Sequence, residues 1–145
     1  MKIALLGGGG WYFSRPIADF AVCPDLAGSR VVLYDIDADR AALMAQLGRR
    51  LSRQARAGLT FRVAKSLEEA VDGSDFLLCS IGGAGASGSA GYYESPVHLG
   101  DKLLCARHGI PQIVGDTAGP AAMMAAFRSI PIYLDICRQA ERRAP

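Results

Sequence analysis

The chain has 145 residues, of which 50% are hydrophobic and 21% charged, and its formal net charge is +2 at pH 7. This is the composition of one ordinary globular domain, and so small a charge gives no support for binding to nucleic acid or to a membrane. The four cysteines form no Cys-x-x-Cys pair, which favours buried reduced thiols in a cytoplasmic protein over disulfides or a metal site. They are Cys23, Cys79, Cys105 and Cys137.

Strand and helix patterns alternate along the chain. Apolar and β-branched runs predict strands at Lys2–Leu6, Arg30–Tyr34, Thr60–Ala64 and Asp75–Ile81. Capping residues and helical spacing predict five helices, at Ser14 or Arg15 to Val22, Asp37 or Ala38 to about Ala57, Ser66 to near Gly73, Ser95 to about Arg107, and Pro120 to about Arg143.

Three helix boundaries carry specific expectations. Ser14 is a plausible N-cap of the first helix, and Gly58 is expected to stop the second. Pro131 predicts a kink or a break in the last helix. That helix also carries an apolar stripe at helical spacing, which predicts a buried face made of Met123, Phe127, Ile130, Leu134 and Cys137.

The alternation predicts an α/β fold, a Rossmann-like, doubly wound and mostly parallel sheet of about four to five strands. Ligands of such sheets bind beyond the carboxyl ends of the strands. The glycines at 7–10, Asp35 and the segment from Ser80 all lie at such ends. We therefore expect the functional site at this edge of the sheet.

Four consecutive glycines, Gly7, Gly8, Gly9 and Gly10, follow the first strand. A glycine turn that leads into a helix lets backbone amides approach the pyrophosphate of a dinucleotide. The Gly-x-Gly-x-x-Gly fingerprint is incomplete, because its third position is Tyr12 or Phe13 according to the starting glycine. The alternative is a glycine-rich turn that binds no ligand.

Asp35 closes the second strand. A carboxylate at this position can accept hydrogen bonds from both hydroxyls of the adenosine ribose, and it would repel a 2′-phosphate, which favours NAD over NADP. The alternative is that Asp35 merely caps the next helix. Small residues after the fourth strand, Ser80, Ile81 and Gly82, would leave room for the cofactor above them, or they simply form a connection.

Asp116 and Arg128 are the other candidates for chemistry. Asp116 could orient a substrate hydroxyl or a catalytic group, or it belongs to the turn that caps the last helix, and Arg128 could bind an anion. No His, Cys, Asp or Glu set has metal-ligand spacing, and no Gly-x-Ser-x-Gly elbow occurs. The sequence therefore shows no self-contained active site.

These residues together resemble the N-terminal part of glycoside hydrolase family 4, the NAD- and manganese-dependent glycosidases. The resemblance covers essentially the whole chain, and its most specific part is Gly-Asp-Thr-x-Gly-Pro followed by Arg-x-Ile-Pro. The matching segments are Lys2–Gly9, Phe13–Arg15, Val32–Arg40, Ser74–Phe76, Gly115–Pro120 and Arg128–Pro131.

The resemblance, taken with the residues above, implies a set of contacts. NAD contacts are expected at Gly7, Gly8, Gly9, Gly10, Phe13, Ser14, Arg15, Asp35, Ser80, Ile81 and Gly82, and sugar contacts at Asp116, Thr117 and Arg128. Phospho-sugar members of the family carry an Arg where this chain has Gly82, and Gly-Asp-Thr is similar to the α-galacturonidase branch. The resemblance thus implies a non-phosphorylated sugar or a uronide as substrate.

The family reaction is implied in the same way. NAD oxidises the sugar transiently at C3, a Tyr removes the C2 proton, the aglycone leaves by elimination, and Mn²⁺ held by Cys and His polarises the carbonyl. Those residues lie downstream in the family, so no metal ligand is expected in this chain, and Asp116 alone matches a position near the chemistry, where it would tune the base.

Residues 1–145 are accordingly expected to form a partial NAD-binding domain that is cut short before a fifth strand and is inactive alone. Its expected partners are a small sugar and further copies of itself, in the cytoplasm. Two alternatives remain open: a stand-alone NAD-binding or interaction module, and a truncated NAD-dependent dehydrogenase, for which no catalytic His/Arg/Asp set is visible.

Overall fold

A computed structural model describes residues 1–82, 95–113 and 118–144. Within these ranges the chain forms four strands and five α-helices. The strands are β1 (Lys2–Leu6), β2 (Arg30–Tyr34), β3 (Thr60–Val63) and β4 (Phe76–Cys79). The helices are α1 (Ser14–Val22), α2 (Ala38–Ala55), α3 (Leu67–Val71), α4 (Pro96–Arg107) and α5 (Pro120–Arg143), and short 3-10 turns cover Trp11–Phe13 and Pro24–Leu26.

The four strands form one parallel sheet in the order β3-β2-β1-β4. β1 is central, and all five of its residues are buried. Leu5 pairs with Leu33 of β2 on one side and with Leu78 of β4 on the other. This order, with each crossover between parallel strands passing through a helix, confirms the predicted Rossmann-like doubly wound α/β fold.

Alternate residues of the strands enter two separate cores, because successive side chains in a strand point to opposite faces. On one face Leu5 and Leu33 pack with Phe13, Ile17 and Met44, which come from the segment around α1 and from α2. On the other face lie side chains from β1, β2, α3 and the end of α5: Ala4, Leu6, Val32, Ala70, Val71 and Ile136. Both faces of the sheet are thus covered by helices, as a parallel sheet requires.

Two predicted helix boundaries differ from the structure. Ser14 is not the N-cap of α1, because the 3-10 turn runs directly into the helix and Phe13 occupies the cap position without a side-chain bond. α2 ends at Ala55 rather than near Gly58. Arg56 itself adopts the left-handed conformation, with φ of 56°, and its N–H donates to the carbonyls of Ser52 and Arg53.

The last helix differs more. α5 continues through Pro131, so the predicted break does not occur. The apolar stripe predicted as a buried face is exposed: Met123, Phe127, Ile130, Leu134 and Cys137 all face outward. The side chains that α5 buries are Ala121, Ala125, Ile136 and Gln139. Helical periodicity shows that a face is apolar, but it does not show what covers that face.

The described chain separates into two compact units. The first comprises Met1–Ile81 together with the residues from Ile136 onward, and it contains the sheet, α1 to α3 and the end of α5. The second comprises Gly82–Asp135 and contains α4 and most of α5. No helix within the described segments has the length and apolar character of a membrane span.

The four cysteines are free thiols, but the expectation that they are buried holds for Cys105 alone. Cys23 and Cys79 are partly buried, and Cys137 is exposed on α5.

Candidate functional site

The glycine turn closes tightly over the end of β1. The N–H groups of Gly7 and Gly8 both donate to the carbonyl of Tyr34 at 2.9 Å, and the Gly10 N–H donates to the Gly7 carbonyl at 2.9 Å. Gly7 has φ of +79°, and a Cβ there would lie 2.2 Å from the Ser80 carbonyl oxygen. Glycine is therefore required at position 7 both by its conformation and by the close approach of β4.

The next two glycines are packed as closely. A Cβ at Gly8 would lie 2.9 Å from the Cβ of Leu33, and a Cβ at Gly9 would lie 2.8 Å from the Cβ of Arg40 and 3.0 Å from Asp35 Oδ2. A Cβ at Gly10 would meet just the Gly7 carbonyl oxygen, at 3.0 Å. At three of the four positions, neighbouring atoms of the protein leave no room for a side chain, whereas Gly10 has the most open backbone.

Asp35 ties this turn to the end of β2. Its Oδ2 accepts from the Gly9 N–H at 2.8 Å, and its Oδ1 accepts from the Asp37 N–H at 2.9 Å. The residue that caps α2 is Asp37, whose Oδ1 accepts from the Arg40 N–H at 3.1 Å. The alternative that Asp35 serves as the helix cap is therefore wrong. Each Asp35 oxygen has a second lone pair, and the partly exposed carboxylate can accept further hydrogen bonds.

The segment after the turn presents its three predicted contact residues differently. Phe13 is fully buried in the core, so its ring is closed to a ligand and a contact would have to come from its backbone. Ser14 is partly buried and Arg15 is exposed, both at the first turn of α1. The Ser14 N–H donates to the Trp11 carbonyl and Pro16 has no N–H, so what this helix start offers an anion is chiefly its partial positive charge.

Backbone bonds place the end of β4 beside the same turn. The Ser80 N–H donates to the Leu6 carbonyl at 2.9 Å. Ser80 and Ile81 are partly buried and Gly82 is exposed. The structure therefore brings Gly7, Asp35 and Ser80 together at the carboxyl edge of three neighbouring strands, as the sequence predicted.

The predicted sugar contacts are not all placed. Asp116 and Thr117 lie outside the described residues. Arg128 forms a bidentate ion pair with Asp101 of α4, in which Nη1 lies 3.3 Å from Oδ1 and Nη2 contacts Oδ2. Sequence reasoning missed Asp101, because an acid and a base 27 residues apart show no local periodicity. An internal carboxylate already satisfies part of Arg128, and its contact with substrate stays a prediction.

Lys2, at the start of β1 and so at the opposite edge of the sheet, has a shifted pKa. Burial lowers the pKa of Lys2, whose Nζ donates to the carbonyls of Glu69 and Asp72 at the end of α3. The described residues contain no group of three or more His, Cys, Asp or Glu side chains placed to hold a metal ion.

The chain's own residues fit a dinucleotide at this site. The turn at positions 7–10 precedes a helix, so backbone without side chains and a partial positive charge meet where a pyrophosphate would lie. Asp35, at the end of the neighbouring strand, has free lone pairs for ribose hydroxyls. Gly7 and Gly9 supply two of the three glycines of the fingerprint, and Tyr12 stands at the third.

The chain is similar to known proteins over its whole length. A sequence model described as family 4 glycosyl hydrolase matches residues 2–145. Two α-galacturonidases, from Lachnoclostridium phytofermentans and Thermoanaerobacter italicus, are 34% and 35% identical over the whole of this chain. The chain spans 30% and 29% of the length of these two relatives.

Solved structures show the same fold. A Bacillus subtilis protein whose structure is described as a glucosidase superposes with a TM-score of 0.85 at 27% identity, over 100% of this chain and 31% of its own. The 6-phospho-β-glucosidase of Thermotoga maritima, solved with NAD and glucose-6-phosphate, superposes with a TM-score of 0.80 at 19% identity, over 99% of this chain and 32% of its own. At that identity the second match shows the fold alone.

Proposed function

The chain belongs to family 4 of the glycosyl hydrolases, and from that membership we propose that it forms the NAD-binding part of a glycosidase that acts on a non-phosphorylated α-galacturonide. The observation that carries the proposal is the family match across residues 2–145. It is supported by the position of Asp35, which directly follows β2 and accepts from the N–H of Gly9 in the glycine turn and from the N–H of Asp37 before α2. Residues 1–145 act together as this NAD-binding part.

Each residue of the site has a specific role in this proposal. Gly8 to Gly10 let the pyrophosphate approach the backbone closely, because no Cβ intervenes, and the partial positive charge at the start of α1 favours it there. Asp35 accepts hydrogen bonds from the hydroxyls of the adenosine ribose, and its negative charge disfavours a 2′-phosphate. Ser80, Ile81 and Gly82 line the edge where the rest of the cofactor extends. Ser14 and Arg15 contribute at the start of α1.

The substrate is proposed from the relatives. Four α-galacturonidases are 30% to 35% identical over 100% of this chain, whereas an α-glucosidase is 26% identical and an α-galactosidase 22% over 94%. The family resemblance implies that Gly82 stands where phospho-sugar members carry an Arg, so this position would offer no side-chain charge for a sugar phosphate. Both points favour a sugar with an uncharged C6 group or a C6 carboxylate over a sugar with a C6 phosphate.

Bound NAD would accept a hydride from the sugar C3, and Mn²⁺, with ligands in the part of the relatives that this chain does not span, would polarise the resulting carbonyl. This chain's residues would hold and orient the NAD. Asp116 would tune the base that removes the C2 proton, and Thr117 and Arg128 would contact the sugar. We propose that these 145 residues alone turn over no glycoside, since they span about 30% of the relatives.

The setting of the protein is proposed on separate grounds. Exposed apolar side chains on α5, Phe127 at 71% and Met123 at 58%, support homo-oligomerisation. Four free thiols support a reducing compartment such as the cytoplasm.

Calorimetric titration with NAD⁺ and NADP⁺ tests the proposed cofactor role of Asp35. We expect Asp35→Ala to weaken NAD⁺ binding at least about tenfold, which is about 1.4 kcal/mol, and to reduce the preference for NAD⁺ over NADP⁺. Asp39→Ala is the matched control, because it removes the same charge from an exposed position in the first turn of α2. Equal losses in the two variants, or no NAD⁺ binding by the wild type, would contradict the proposal.

A further inference from the structure

Two large aromatic side chains are exposed directly after the glycine turn. Trp11 is 76% exposed and Tyr12 is 68% exposed, whereas the next residue, Phe13, is completely buried. Trp11 is the one tryptophan in the sequence. Packing within the described residues does not explain this large aromatic surface at the edge where parallel sheets bind ligands.

Trp11 lies on a firmly held piece of backbone. Phe13 fixes the 3-10 turn to the core, and its N–H donates to the Gly10 carbonyl at 3.1 Å. The Gly10 N–H in turn donates to Gly7, whose own N–H donates to Tyr34 of β2. The backbone that carries the indole is thus linked by hydrogen bonds to the sheet, and little order has to be gained when a ligand contacts it.

The turn that carries Trp11 lies at the end of β1, between the ends of β2 and β4, and the N–H groups of Gly7 and Gly8 tie it to Tyr34 of β2. The turn returns from Gly10 to Gly7, and Gly7 abuts the Ser80 carbonyl at the end of β4. Asp35, proposed above to hold the adenosine ribose, closes β2 on the other side of β1. A dinucleotide that spans this edge places its adenosine half toward β2, so its second half extends toward β4 and Ser80.

The two aromatic rings differ in their own contacts. The Tyr12 ring meets the Phe13 ring edge to face, with centroids 5.5 Å apart and planes at 80°. This contact fixes Tyr12 against the core residue beside it. Trp11 begins the 3-10 turn, next to the open backbone of Gly10.

We propose that the indole of Trp11 binds the positively charged nicotinamide ring of NAD⁺. The inference rests on the proposed function and adds a residue that favours the oxidised cofactor. Tryptophan is the strongest cation–π partner among side chains. The nicotinamide ring is cationic in NAD⁺ and neutral in NADH, so Trp11 stabilises the oxidised form over the reduced one and positions its ring.

Trp11 reports on its own contact, since all tryptophan emission of the chain comes from it. We expect NAD⁺ to quench this emission, and ADP-ribose, which has the same adenosine and pyrophosphate but lacks nicotinamide, to bind without comparable quenching. Calorimetry on Trp11→Leu should show NAD⁺ binding weakened about fivefold to tenfold and ADP-ribose binding changed by less than about twofold.

Tyr12→Leu is the matched control, because it removes an exposed aromatic ring from the adjacent position. We expect its NAD⁺ affinity to stay within about twofold of the wild type and its quenching by NAD⁺ to persist. Equal quenching by ADP-ribose, or an unchanged NAD⁺ affinity in Trp11→Leu, would overturn the proposed role of Trp11 and leave the proposed function standing. If the wild type bound neither ligand, both this inference and the proposed function would fall.

Discussion

At the scale of single residues, the glycine turn is more constrained than its sequence indicates. Four consecutive glycines could provide nothing more than flexibility, yet Gly7 adopts φ of +79° against the Ser80 carbonyl and Gly9 fits between Asp35 and Arg40. The incomplete fingerprint could be read from the sequence. The steric need for Gly8 and Gly9 could not, because it comes from β2 and α2, which are distant along the chain.

Replacing Gly7 should separate the two sources of this constraint. Gly28 has φ of +74°, but a Cβ there would meet no atom within 4 Å, so Gly28→Ala carries backbone strain alone. We expect Gly28→Ala to cost about 1 kcal/mol and Gly7→Ala about 3 kcal/mol or more, because its methyl group also collides with the backbone of Ser80. Urea unfolding of both variants measures this difference, and equal losses would show that the contact with β4 is unimportant.

At the scale of elements, the sequence predicts strands well and helix ends less well. β1 and β2 begin and end where their apolar runs do. Ser66 caps α3 as expected, and its Oγ accepts from the Glu69 N–H at 3.2 Å. Ser66 and Glu69 have the spacing of a capping box, in which the Glu69 side chain would accept from the Ser66 N–H, but Glu69 accepts from the Lys65 N–H and pairs with Arg62 of β3. A partner on another strand is not visible in local sequence.

This arrangement at α3 gives a pH dependence. The hydrogen bond from the Lys65 N–H, and then the charge of Arg62, lower the pKa of Glu69 from its usual 4.5. The carboxylate therefore stabilises the fold above pH 4.5, and this contribution is lost as the pH falls through the lower folded-state value.

We expect the free energy of unfolding of Glu69→Gln to fall less than that of the wild type between pH 6 and pH 3, roughly the interval over which such a carboxylate titrates. The effect should be small, because the group is exposed to solvent. Glu141→Gln, which removes a charge from exposed α5, is the control. Chemical unfolding at several pH values measures the contribution of Glu69. Parallel plots of unfolding free energy against pH for the wild type and Glu69→Gln would contradict the role given to this carboxylate.

At the scale of the whole molecule, the sheet and its edge followed from sequence, whereas the surroundings of α5 did not. The alternating pattern and the resemblance both predicted a Rossmann-like parallel sheet, which the structure confirms. Met123, Phe127 and Ile130 show the spacing of a core helix but are exposed. Their spacing shows that this face of α5 is apolar, but spacing alone does not show what packs against the face.

The central claim, that this chain binds NAD at the glycine turn, is tested most directly by mapping amide resonances of the ¹⁵N-labelled chain during titration with NAD⁺. We expect the amides of Gly8, Gly9, Gly10 and Asp35 to shift with one saturating curve. Gly28 and Gly58, which lie near each other before β2 and β3 at the opposite edge of the sheet, should not move. Unshifted turn amides, or shifts confined to the opposite edge, would contradict the account.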